Sequence, residues 1–164
     1  PPMMVHGFKG EEKIVKDLEA KHGIPVDTSG RSTAAAMTAL GIKNFVGVTY
    51  FPDRMNQIFS RYFTEAGFEV AAMEAIDVPF KDVGKLSGEE IYKHTKKAFL
   101  KHAGADAIYM LGSGWRLLKI VRLLEQDLQV PVVYALGAKL WEVQKRFHVR
   151  EPIKGSGRLL EALP

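Results

Sequence analysis

Cysteine is absent from all 164 residues. Its absence excludes disulfide bonds, thiolate metal ligands and cysteine nucleophiles together. It also fits a cytoplasmic setting. Long apolar runs are missing too: no stretch approaches the ~20 residues that a membrane-crossing helix needs. No succession of charged, apolar and small residues marks a secretory leader. The start Pro1-Pro2-Met3-Met4 is nevertheless unusual and suggests a lost or processed leading segment. Histidines at metal-ligand spacing are lacking as well. His94 and His102 stand eight residues apart on one helical stretch, while His6, His22 and His148 are isolated. No metal site is expected from them.

Charge of a single sign is not concentrated anywhere. The net charge of +4 and a pI near 9.3 raise the question of nucleic acid. Yet basic residues alternate with acids, as in Glu11-Glu12-Lys13 and Lys16-Asp17, which is the pattern of a solvated surface. No nucleic-acid-binding signature is present. The expected partners are therefore small molecules, with neither nucleic acid nor membrane. The apolar fraction of 46% and charged fraction of 26% are ordinary for a globular chain of one-domain length.

What the chain does contain is a recurring unit of helix, glycine and strand. A helical stripe at Ile14, Val15 and Leu18 stops at Gly23, and Ile24-Pro25-Val26 follows as a short strand. Ala34 to Leu40 stops at Gly41 before the apolar run 44–50. Met55, Ile58, Phe59, Tyr62, Phe63 and Ala66 share one helical face and stop at Gly67 before the strand 68–72. Ile91, Thr95, Ala98, Phe99 and His102 repeat the pattern before Gly104 and the strand 106–111. A helix from Leu117 to Leu128, a strand at 131–135 and a helix through Leu140, Val143 and Phe147 complete it. Glycine just past a helix end takes the left-handed conformation without a Cβ clash. Asp53 is expected to cap the helix after Pro52, and Ser87-Gly88-Glu89-Glu90 has the form of a capping box. Alternation of this length implies an α/β fold of flavodoxin-like strand–helix repeats, with parallel strands and right-handed crossovers. The stretch 77–88 has no clean period and reads as a long loop, a candidate mobile flap. Gly155-Ser156-Gly157 reads as a turn before a short terminal helix, with an anion-binding loop as the other reading.

In open parallel sheets ligands bind beyond the carboxyl ends of the strands. Three polar, small-residue segments leave the strands there: 28–33, 49–53 (with Asn56 one turn further) and Gly112-Ser113-Gly114. Helix starts at these places offer free N–H groups and a positive dipole end. A carboxylate suits them better than a nucleotide, because neither a P-loop nor a dinucleotide fingerprint is matched. Thr28, Ser29, Ser32 and Thr33 equally suit plain helix capping, and Tyr50 and Phe51 plain packing. Ser113 lacks a neighbouring histidine and a nucleophile-elbow sequence, so a serine-hydrolase role is not indicated.

These loops resemble the Asp/Glu racemase superfamily, in particular its maleate isomerase and arylmalonate decarboxylase branch. The likeness runs through Gly23-Ile24-Pro25, Thr28-Ser29, Ala39-Leu40-Gly41-Ile42-Lys43 and Val48-Thr49-Tyr50-Phe51-Pro52-Asp53 with Asn56. It continues through 65–70, 104–108, 131–133, 138–141 and 155–160. The resemblance implies two pseudo-symmetric α/β lobes, the first one incomplete: 1–41 with 137–164 in that lobe and 42–136 in the second, or one unit over 1–164. It implies a cofactor-independent isomerase or decarboxylase acting on a small mono- or dicarboxylic acid, in a homodimer. The other expectation is an inactive carboxylate-binding or subunit-pairing member of the family. Substrate contacts would come from Thr28, Ser29, Thr49, Phe51, Asn56, Gly112 and Gly114, including loop N–H groups at Ser113 and Gly114. The family's two reactive cysteines are the main departure. Gly112 stands where the second falls, and the first lies upstream of the matching region. Ser113 or Tyr50 is therefore the expected proton donor, since a chain without thiols cannot run thiol chemistry.

Overall fold

Four apolar runs of the sequence become strands: β1 (Asn44–Thr49), β2 (Glu69–Ala75), β3 (Ala107–Met110) and β4 (Val132–Tyr134). The computed structural model describes residues 2–162 and pairs these strands in parallel, in the order β2-β1-β3-β4. One row across the sheet reads Ala72, Val46, Ile108, Val132. β3 and β4 are buried along their whole length and β1 after its first residue, as parallel strands covered on both faces require. β2 forms an edge and is only partly covered.

The helices are α1 (Gly7–His22), α2 (Ser29–Ala39), α3 (Asp53–Glu65), α4 (Gly88–Leu100), α5 (Leu118–Leu128), α6 (Ala135–Arg146) and α7 (Arg158–Ala162). The crossover β1-α3-β2 runs one way along the sheet, and β2-α4-β3-α5-β4 runs back. Right-handed crossovers then place α3 on one face and α4 with α5 on the other. Accordingly α1 packs on α3, α4 on α5, and α2 on α6. The core closes around Phe45, whose ring meets Phe63 and Tyr109 edge-on at 5.3 and 5.9 Å. Each such buried side chain stabilises the fold by about 2–3 kcal/mol.

The four helix-ending glycines, Gly23, Gly41, Gly67 and Gly104, all have positive φ. The capping box is present: Ser87 Oγ accepts from Glu90 N–H at 3.2 Å, and Glu90 Oε2 accepts from Ser87 N–H at 2.8 Å. Four local expectations are corrected. Ile24-Pro25-Val26 is not a strand, because Pro25 has no N–H and the Val26 N–H donates to Glu19 Oε1 at 2.9 Å. Helix α2 starts at Ser29, earlier than its apolar period suggests. Thr28 caps it, and the Ser32 hydroxyl donates back to the Thr28 carbonyl at 2.9 Å. Asp53 is the first residue of α3 and makes no capping bond; the flanking residue is Pro52. The stretch 77–88 contains a 3-10 helix (Phe80–Lys85) pinned by buried Val83, so it is a docked segment with an ordered centre.

Two buried carboxylates tie distant elements together. Glu11 of α1 has no solvent exposure and accepts from the Tyr62 hydroxyl of α3. Glu125 of α5 accepts from Val132 N–H and Arg158 N–H, both at 2.9 Å. It thereby fixes β4 and the start of α7. Gly155-Ser156-Gly157 is thus a turn leading into α7, and the N–H that follows it is already bonded.

Candidate active site

Strands β1 and β3 are neighbours, yet β1 continues to β2 and β3 continues to β4. The chain therefore leaves their carboxyl ends in opposite directions, and a crevice opens at that point. Tyr50 follows β1 and Gly112 follows β3. The Leu111 N–H donating to the Val48 carbonyl at 2.9 Å holds the two exits side by side.

Gly112 has φ +133°, where side chains are strained, and the Tyr50 ring lies against it. A Cβ on Gly112 would stand 2.3 Å from Tyr50 Cε1 and 2.6 Å from its hydroxyl oxygen. The Gly114 N–H donates to that oxygen at 3.1 Å, and the Trp115 indole N–H donates to the Gly112 carbonyl at 3.1 Å. The Tyr50 ring is further framed by Trp115 at 4.9 Å, Phe51 at 4.7 Å and exposed Phe80 at 5.9 Å between centroids. Tyr50 keeps 8% of its surface exposed, and its oxygen accepts a bond while donating to no group among the described residues.

Ser113 is exposed on this loop and lines two clefts. One is small, about 110 Å³, and brings in Ser29 from the start of α2 and Lys139 from α6. The other is about 520 Å³ and adds Arg116, Lys119, Leu118 and Tyr134. Leu136 borders both. No aspartate or glutamate lines either cleft, and none of the three cations makes an ion pair among the described residues. A separate cleft of about 360 Å³ is bordered by Phe68, just ahead of β2, and by none of the loops that follow β1, β3 and β4. It is lined by Glu19, Asp27 and Glu142 as well as Arg31 and Arg146, so it offers an anion no comparable preference.

The other residues picked from the sequence sit behind this surface. The Thr49 hydroxyl donates to Asn56 Oδ1 at 2.8 Å, and both side chains are buried. Thr49 Oγ1 also accepts from Phe51 N–H at 3.2 Å, while Asn56 donates to the Phe51 carbonyl at 3.1 Å. This pair holds the Tyr50–Phe51 turn. Thr28 is buried and accepts from Arg31 N–H at 3.3 Å, leaving Ser29 as the member of that pair that faces a cleft. Gly114 N–H, expected to face the substrate, is turned onto Tyr50. Sequence reasoning passed over Trp115, Arg116, Lys119, Leu136 and Lys139. The signal for Lys139 was available: the segment after β4 leaves the same end of the sheet as the loops after β1 and β3.

Fold and crevice define a parallel α/β protein whose cleft-lining loops gather at the switch point of the sheet. A family model described as arylmalonate decarboxylase matches residues 4–160. The chain belongs to the arylmalonate decarboxylase family. No curated protein sequence matches it. A crystal structure of arylmalonate decarboxylase superposes with a TM-score of 0.90 at 18% identity, covering 96% of this chain and 70% of that one. The maleate cis-trans isomerase of Nocardia farcinica, solved with a covalently bound succinylcysteine intermediate, gives 0.87 at 21% identity, covering 99% and 68%. The maleate isomerase Iso of Pseudomonas putida S16 gives 0.77 at 21%, covering 84% and 55%. At these identities the superpositions establish the shared fold. Among the described residues no helix is long and apolar enough to cross a membrane, and no group of three candidate ligands could hold a metal ion.

Proposed function

We propose that the chain is a cofactor-independent decarboxylase or isomerase of a small mono- or dicarboxylic acid, of the arylmalonate or maleate kind. In this reading Tyr50 takes the place of the absent thiol. The observation that carries it is the Tyr50 hydroxyl lying 2.6 Å from where a Cβ on Gly112 would be. Gly112 stands where the resembling family carries a cysteine, so the phenol fills the space into which that side chain would extend.

Decarboxylation suits this group better than isomerisation. Isomerising a double bond through a covalent adduct needs a nucleophile that adds and later leaves, as the succinylcysteine in the Nocardia farcinica enzyme illustrates. Decarboxylation of a malonate needs only stabilised charge and a proton. The bond from the α carbon to one carboxylate breaks, carbon dioxide departs, and the electron pair spreads into the remaining carboxylate. Ser29, Ser113 and Lys139 around the small cleft hold that developing charge. Tyr50 lines neither cleft itself but lies against Gly112, which lines both. In this reading it passes its proton to the α carbon at that point, and the Gly114 N–H stabilises the resulting phenolate until water returns the proton. A phenol is by its chemistry a far better proton donor than an alcohol such as that of Ser113. Ser113 accordingly binds and Tyr50 donates.

The second reading is a carboxylate-binding or subunit-pairing protein without turnover. The burial of Tyr50 favours it. Calorimetry and product assays with phenylmalonate, maleate and aspartate separate the two. Turnover of phenylmalonate that disappears in Tyr50→Phe supports the enzyme; binding without turnover leaves only the second reading.

A further inference from the structure

We propose that Ser113 is a ridge between two anion subsites, and that the natural ligand carries a second anionic group on an apolar spacer. Lys139 takes the carboxylate in the small cleft, and Arg116 with Lys119 takes the far group in the larger one. This inference rests on the carboxylate-site reading above and extends it to the substrate's length and charge.

Three observations carry it. First, both clefts share Gly112, Ser113 and Leu136, so a ligand seated in one continues over Ser113 into the other without leaving the surface. Second, the chain holds 19 acidic residues, yet none lines either cleft, while three cations do. The larger cleft contains Arg116 and Lys119, neither with an ion-pair partner among the described residues. Two unpaired like charges around one concave surface repel each other, and an anion between them relieves that repulsion. Third, the ground between the cations is apolar: Trp115, Leu117, Leu118, Ile120 and Leu136 line the larger cleft. A malonate or maleate is too short to use it. A carboxylate or phosphate at the end of several methylene groups, or across an aromatic ring, fills the floor and reaches the cations.

The test is calorimetry at low salt with malonate, suberate, monomethyl suberate and 7-phosphonoheptanoate. Suberate and its monomethyl ester share their spacer and differ by one charge. Suberate is expected to bind at least fivefold more tightly than the ester. Arg116→Ala/Lys119→Ala is expected to erase that ratio, whereas Lys9→Ala/Lys13→Ala, which removes equal charge from α1, keeps it. A gain for the phosphonate above suberate identifies the far group as a phosphate; no gain identifies it as a carboxylate. Equal affinity for suberate and its ester overturns the proposal, as does a ratio that survives in the Arg116/Lys119 variant. If malonate binds and the longer ligands gain nothing, only the second subsite falls. If no ligand binds, the carboxylate-site reading falls with it.

Discussion

Tyr50 and Gly112 occupy one another's space: the tyrosine ring stands where any side chain at position 112 would begin. The glycine is required twice over, once by its φ of +133° and once by the ring 2.3 Å from the place of a Cβ. This contact turns the absence of cysteine from a compositional fact into a structural one. A side chain at position 112 and the tyrosine ring at position 50 exclude each other as long as the ring keeps this placement.

Gly112→Cys is therefore expected to destabilise the protein by about 2–3 kcal/mol and to confer no thiol-dependent activity. The double variant Gly112→Cys/Tyr50→Ala removes the ring and is expected to recover part of that loss. Thermal denaturation of both variants, with titration of the new thiol, provides the comparison. A single variant as stable as the parent would show that the ring moves aside freely.

Tyr50→Phe keeps the ring and removes the hydroxyl, so the Gly114 N–H loses its acceptor. Loss of a positioned proton donor is expected to lower kcat by about 10²- to 10⁴-fold, with far-UV circular dichroism unchanged. Ser113→Ala should act mainly on KM. If Ser113→Ala lowers kcat more than Tyr50→Phe does, the two roles are reversed.

Glu11 and Tyr62 are linked across α1 and α3 with the carboxylate wholly buried. Burial and this contact push the Tyr62 hydroxyl well above its ordinary pKa. Tyr62→Phe leaves the carboxylate without its donor and is expected to cost about 3 kcal/mol. In Glu11→Gln/Tyr62→Phe the second change should cost much less, as read in urea unfolding. Equal costs in both backgrounds would mean that the pair is not coupled.

Burial raises the pKa of Glu125, against the opposing pull of the Val132 and Arg158 N–H groups. An acid with a raised folded-state pKa binds more protons folded than unfolded. Its contribution is fullest below its ordinary value of 4.5 and is lost as pH rises through the folded value. Glu125→Gln leaves one of the two N–H groups facing an amide and is expected to destabilise at pH 4.5 by about 1–3 kcal/mol. That deficit should narrow between pH 4.5 and 7 in parallel urea titrations. A deficit that widens over this range contradicts the assignment.

How much of this was legible in the chain differs by element. The helix ends were plain because only glycine enters the left-handed region cheaply, and Gly23, Gly41, Gly67 and Gly104 all do so. The end of α5 was less marked, since Gln129 takes that conformation without being glycine. The start of α2 was misjudged because Ser29, Gly30, Ser32 and Thr33 favour turns locally. Their small size lets α2 pack on Tyr62 and α6, and tertiary burial outweighs local preference. Thr49 and Asn56 looked like ligand contacts because polar residues at a strand end usually face the crevice. Their mutual hydrogen bond is visible only once the turn between them is folded.

By itself the sequence determined the alternation of strand and helix, the end of the sheet where polar loops gather, and the lack of any thiol. Each follows from local chemistry: period, glycine punctuation and composition. Only the tertiary structure decided that Tyr50 fills the space over Gly112, that Thr49 and Asn56 bind each other, and that Lys139 joins Ser29 and Ser113. The first and the last bring together residues from separate elements of the chain, and the second is a choice among partners at equal reach. The physical reason is that a hydroxyl or ammonium bonds whatever the fold brings within about 3 Å, and sequence spacing does not encode that distance.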